Sequence, residues 1–367
     1  MTQKKRPDRN SPEWMNYPGE VLRNSFTREG MMVAFPTCFP GATIPIVHDE
    51  SHITALDITP GGIVHGGTSG RQTHLFAANF HGHSGMVFDL GTPQGATSCV
   101  AVCCGTNRFL AFVNGPRGGR AVASKLQTID SDLIQEWGIE VPVLDDVGEC
   151  VAGEPVVHAV ADASRQFVIG VTKNHLFTTE IESPKTRVVG EVSGSGRIAV
   201  ASSGAVFGSD GGGRVWRFDP KSGSLERGAV ALPRGDWNGP MFWAKDGRAG
   251  LLYTADASGR FFAFDEKRGF SAPLGSLPLA PAGPMAVTFD GRVFGFCGDE
   301  MANMFCYDPA RREVSNLGVA VSVIERRRYG YVFGDAVTGR DGEIFFGEDD
   351  NGGHLWLYFP RIVPAQV

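Results

Sequence analysis

The sequence predicts an all-β chain folded as a seven-bladed β-propeller, on three observations. An apolar strand, a polar Gly-rich turn and a second strand opened by a cation or amide recur seven times. Glycine supplies 49 of the 367 residues, mostly in short turns between Val-, Ile- and Phe-rich runs. No stretch of any length keeps the 3.6-residue apolar spacing of a helix.

The units follow in order. The first is Gly62-Ile63-Val64-His65-Gly66-Gly67 with His74-Leu75-Phe76, and a weaker copy is Val100 to Cys104 with Arg108-Phe109-Leu110. Val168-Ile169-Gly170 with His175-Leu176-Phe177 and Val206-Phe207-Gly208 with Arg214-Val215-Trp216 come next. Leu252-Tyr253 with Arg260-Phe261-Phe262 and Val293-Phe294-Gly295 with Asn303-Met304-Phe305 precede the last, Ile344 to Gly347 with His354-Leu355-Trp356. Apart from a 67-residue interval between Arg108 and His175, the anchors lie 34 to 51 residues apart. That spacing suits blades of four short strands. One such sheet cannot bury both faces, whereas seven packed radially can. The long interval is assigned an insertion near 127–150, with a short helix over Ile129 to Trp137. Residues 1–30 read as a polar tail and 31–367 as one propeller domain. The last unit ends in Leu355 to Phe359 with no fourth strand after it, so Met31 to Phe35 is expected to supply that strand and close the ring.

A net charge of −6 and a pI near 5.9 argue against a nucleic-acid partner held by phosphate neutralisation. The apolar stretch Met31 to Val47 is broken by Pro36, Pro40 and Pro45 and cannot span a membrane as a helix. Seven cysteines, two of them adjacent, and no visible signal peptide point to a reduced, cytoplasmic, soluble chain. Neither a Walker loop, a GxSxG elbow nor an HExxH motif occurs. No cofactor is expected. Glu348-Asp349-Asp350-Asn351 and Asp210 carry oxygen ligands suited to calcium, but without EF-hand spacing they read as polar turns.

Chemistry is expected where the innermost strands begin, at the channel mouth. His74, His175 and His354 share one repeat position with arginines and an asparagine, so they read as turn residues. His81 and His83 flank Gly82 in a solvated turn. His48, His52, His65 and His158 remain as base or ligand-binding candidates. Glu154 and Trp237 lie in segments leading to the same mouth. Glu325 to Tyr331 adds Arg326, Arg327 and Arg328, suited to bidentate capture of a carboxylate. Tyr329 and Tyr331 beside them are proton donors or acceptors.

A seven-unit propeller offering these His, Tyr and Arg types resembles the propeller polysaccharide lyases of the ulvan lyase and rhamnose–glucuronate lyase kind, and related propeller glycosidases. The resemblance covers 31–367 in architecture and only residue types in chemistry. It implies β-elimination on a uronate-containing glycan. His48 and His65 would take the histidine roles, Arg326 to Arg328 would neutralise the carboxylate, and Tyr329 or Tyr331 would move a proton. The ligand implied is a carboxylated small molecule or oligosaccharide. Two other readings stand beside it: a cytosolic lyase, cyclase or hydrolase acting on a small metabolite, and a non-catalytic binding or scaffold propeller.

Overall fold

The computed structural model describes residues 30–36, 46–81, 84–126, 142–194, 196–322 and 329–361. They form seven small antiparallel sheets, five with four strands and two with five, so the chain is a seven-bladed β-propeller. The innermost strands are His52–Ile58, Ser98–Cys104, Val156–Ala161, Ala199–Val200, Ala244–Asp246, Ala282–Val287 and Phe333–Thr338. They touch one another in cyclic order and enclose a central channel.

The ring closes as the sequence predicts. Gly30–Pro36 is the outer strand of the seventh blade and pairs antiparallel with His354–Pro360, with Met31 opposite Phe359 and Phe35 opposite Leu355. Met32 on that strand is 1% exposed within the packing between the sixth and seventh blades.

The recurring Gly and aromatic have one physical cause. In the second strand of a blade, glycine leaves room for a ring from the third strand. A Cβ at Gly66 would lie 2.3 Å from the Phe76 ring, one at Gly170 2.1 Å from Phe177, and one at Gly208 2.3 Å from Trp216. Each aromatic is directly opposite its glycine in the ladder. Seven apolar clusters result, one for each interface between neighbouring blades. Fully burying one such ring contributes roughly 1.5–3 kcal/mol.

One unit is registered differently from the sequence reading. Val100 to Cys104 belongs to the innermost strand of the second blade, and Arg108–Gly115 is its second strand, not its third. The third strand is Gly118–Lys125, where Arg120 pairs with Asp146 at 2.7 Å. Anchoring one strand too early shortened the preceding interval and lengthened the next. The helix expected over Ile129 to Trp137 lies outside the described residues. No helix among the described residues is long and apolar enough to cross a membrane.

Candidate functional site

Antiparallel hairpins fix two faces. Each innermost strand runs from a leading face, which carries the turns between second and third strands, to a trailing face, which carries the first turn of each blade. The channel holds a cavity of about 440 Å³, within the size range of small-ligand sites. Its lining includes the strand ends Val160, Ala161 and Val337 and the first-turn residues Asp162 and Arg165. The cavity therefore reaches toward the trailing face.

Two ion pairs cross this channel. Arg197 stands just before the innermost strand of the fourth blade, and Asp335 lies on that of the seventh. Three blades apart is the widest separation a ring of seven permits. Arg197 Nη1 meets Asp335 Oδ1 at 2.7 Å, Nη2 donates to the Gly334 carbonyl at 2.5 Å, and the guanidinium lies 4.5 Å from the Phe242 ring centroid. Trp243 Nε1 donates to the Arg197 carbonyl at 3.2 Å and fixes the backbone. Asp335 Oδ2 accepts from the Leu56 N–H at 2.7 Å. Burial pushes the Asp335 carboxyl above the usual range, against the pull of Arg197.

The second pair is nearer the trailing face. Arg165 grips Asp57 with both Nη atoms, at 2.8 and 3.2 Å, and Nη1 also donates to the Cys104 carbonyl at 2.8 Å. This ties a turn of the third blade to the first blade across the second. Arg165 has φ 53°, a left-handed conformation that non-glycine residues seldom hold. Burial alone would lower the Arg165 pKa, but Asp57 overrides it and leaves it raised.

Two further polar groups line the cavity. Lys245, on the innermost strand of the fifth blade, is exposed and donates from Nζ to the Ala201 carbonyl at 3.3 Å. Partial desolvation by the neighbouring strands lowers its pKa. His158 is 8% exposed, and its Nδ1 accepts from the Ile198 N–H at 3.2 Å. Burial, then Arg197, hold its pKa well below the ordinary value, so the ring is neutral. A neutral imidazole accepting at Nδ1 carries its proton on Nε2. Nε2 also faces the Arg197 Nη1 donor at 3.4 Å, so the neutral ring has donors on both sides and accepts from only one of them at a time.

Of the candidate site residues singled out in the sequence, only His158 lines this cavity among the described residues. His65 is a correction: it is fully buried between the first and second blades, against Phe109 at 4.9 Å, and reaches neither channel nor mouth. Burial lowers its pKa to about 4. His48 is exposed in a short 3₁₀ turn on the leading face. His52 is nearby, with Nδ1 on Asp349 at 3.0 Å and Nε2 on Asn351 at 2.8 Å. Burial opposes its charge, but these oxygens outweigh burial and raise its pKa. Glu154, also on the leading face, accepts from Thr172, Asn174 and His175, which lower its pKa to about 2, Thr172 most strongly. Trp237 donates to the Pro233 carbonyl at 2.8 Å and packs on Phe262 and Phe270. Tyr329 is on the outermost strand of the sixth blade, and Tyr331, 43% exposed, follows it. Neither lines the cavity. Arg326, Arg327 and Arg328 lie outside the described residues.

The repeat histidines each stand beside a carboxylate of their own blade. His74 sits between Asp89 at 2.8 Å and Glu50 at 2.9 Å, His175 is 2.9 Å from Glu154, and His354 is 3.2 Å from Glu348. Among the described residues no group of three or more His, Cys, Asp or Glu is placed to hold a metal ion. The residues missed in the sequence are Arg197, Asp335, Lys245, Asp57 and Arg165. One signal was available for two of them: Asp57 and Asp335 each place a carboxylate among the apolar residues of an innermost strand.

No family model and no curated protein matches the sequence. Similar solved structures include virginiamycin B lyase from Staphylococcus aureus, with TM-score 0.62, 11% identity and coverage of 90% of this chain and 99% of that one. A catalytically inactive variant of the same enzyme, with quinupristin, aligns with TM-score 0.60, 10% identity and the same coverage of both chains. The extracellular domain of a putative one-component system from Bacteroides thetaiotaomicron gives TM-score 0.54 and 11% identity over 84% of this chain and 38% of that one. At these identities the likeness is one of fold.

Proposed function

We propose that this propeller is a lyase that takes a small carboxylated molecule into its channel and eliminates a group β to the carboxylate. One observation carries the reading: Arg197, His158 and Lys245 line a single cavity of about 440 Å³. A guanidinium has five N–H donors, and the contacts to Asp335 and Gly334 leave others for a substrate carboxylate. The His158 Nε2–H beside it supplies a second donor. Neutralising the carboxylate acidifies the adjacent C–H. Lys245, with its lowered pKa, is the base. Its amine takes the proton, the C–H electron pair becomes the new double bond, and the C–O bond at the β carbon breaks. The resulting ammonium returns a proton to the departing oxygen, so one residue serves both steps on one face of the substrate.

The cavity's size favours a single ring or a short molecule over an internal unit of a long glycan. A terminal uronate fits this chemistry, as do smaller β-substituted acids. The name of the Staphylococcus aureus neighbour adds a lyase on the same fold. The test is ultraviolet absorbance of a new conjugated double bond. Wild-type protein is incubated with uronate oligosaccharides, small β-substituted acids and quinupristin. A rise abolished by Lys245→Met supports the reading, and no change across the panel overturns it. A binding-only propeller is the second reading, favoured because both channel arginines already hold a carboxylate. It predicts saturable uptake of a carboxylate with no double bond formed.

A further inference from the structure

The Arg197–Asp335 pair has a property that ordinary surface pairs lack. Both Asp335 oxygens are already bonded, to Arg197 and to the Leu56 N–H. Its side chain is 14% exposed and that of Arg197 19%. A ligand carboxylate held by Arg197 would therefore bring a second negative charge to one guanidinium inside a shielded channel. Two carboxylates sharing one site cannot both stay ionised at ordinary pH. We propose that a carboxylate ligand binds Arg197 alongside Asp335 and that one proton is taken up by Asp335 as it does so. Asp335 is then a positioning residue that makes channel occupancy proton-linked. The inference rests on the channel being the carboxylate site.

The surroundings assign the proton to Asp335 in preference to its neighbours. The groups facing it are Arg197 from the fourth blade, the Leu56 N–H from the first, the Ala336 N–H on its own strand, and the Cys99 and Cys103 thiols from the second. Burial raises both thiol pKa values, so they are already protonated at neutral pH. His158, Lys245, Asp57, Asp162 and Arg165 also line the cavity. Asp57 is gripped by Arg165, and Asp162 accepts backbone N–H groups from Ser164, Gln166 and Phe167. His158 faces a cation, which opposes its protonation. Asp335 differs in direction, since burial already favours its neutral form.

The experiment is calorimetric titration of full-length protein with glucuronate in buffers of different ionisation enthalpy. The proposal expects close to one proton taken up per glucuronate bound near neutral pH. Affinity should weaken about tenfold per pH unit wherever only the bound state carries the proton. Asp335→Asn should abolish the uptake and flatten the pH profile, whereas His175→Asn, on the leading face and outside the cavity, should retain both. Because Asp335→Asn leaves Arg197 without its anion and could misfold, infrared difference spectra of wild-type protein give an independent reading. Binding should produce the band of a protonated carboxylic acid. Glucuronate binding without proton uptake, or uptake surviving in Asp335→Asn, overturns the proposal and leaves the channel reading standing. No glucuronate binding at all overturns both.

Discussion

Charged pairs in this propeller fall into two populations. On the leading face, the repeat-position histidines pair with partners close in sequence and in one blade: His74 is 15 residues from Asp89, and His175 is 21 from Glu154, whereas His52, not a repeat position, reaches Asp349 of the seventh blade. In the channel, Arg165 and Asp57 are 108 residues apart, and Arg197 and Asp335 are 138 apart. The first kind recurs from blade to blade because every blade has the same turn to hold. The second kind breaks the repeat, costs desolvation at each charge, and sits around the channel cavity. Repeat-equivalent polar residues thus mark structure, and departures from the repeat mark the candidate site.

The largest effect should come from the most distant contact of all. Removing residues 30–36 opens the ring, because their partner strand is His354–Pro360. The melting temperature should fall by roughly 10 °C or more, and scanning calorimetry reads this directly. If the transition is unchanged, long-range pairing is not what holds the ring. Next comes Arg197→Ala. It leaves Asp335 buried without its cation, which should cost ~3–5 kcal/mol in denaturant unfolding. It should also lower carboxylate affinity and elimination far more than any in-blade variant does.

His175→Asn is the matching in-blade change. It removes one hydrogen bond to Glu154 and should cost ~0.5–1.5 kcal/mol, with elimination within about twofold of wild type, the scatter expected of a surface change. A larger loss of turnover would erase the distinction between the two populations. The smallest effects are pH effects on the leading face. His52 has a raised pKa, so its contribution is complete below the ordinary value of 6.5 and disappears as pH rises through the raised native value. Glu154 has the opposite sign: its contribution is present above 4.5 and disappears as pH falls toward about 2. Urea midpoints across pH should lose the first slope in His52→Gln and the second in Glu154→Gln.

Much of the fold was legible because a propeller repeats its physics. Glycine opposite an aromatic identifies the second and third strands, and a missing fourth strand after Leu355 to Phe359 identifies the closing one. The second blade was misread at Arg108 because Arg108-Phe109-Leu110 and Arg260-Phe261-Phe262 look alike, although one opens a second strand and the other a third. The candidate site was far less legible. His158 was reachable from its segment, but the pairing of Arg197 with Asp335 depends on which blades face each other across the ring, and nothing local encodes that. His65 misled because an imidazole interrupting an apolar pattern looks like chemistry, while here it fills an interface between blades.

The central claim, that chemistry belongs to the channel and not to the leading face, is tested most directly by one paired rate measurement. Lys245→Met and His175→Asn are assayed side by side for double-bond formation on a carboxylated substrate that wild-type protein turns over. The account predicts a loss of about 10²-fold or more for Lys245→Met and a rate within about twofold of wild type for His175→Asn. Full activity in Lys245→Met, with the loss falling on His175→Asn instead, would contradict it.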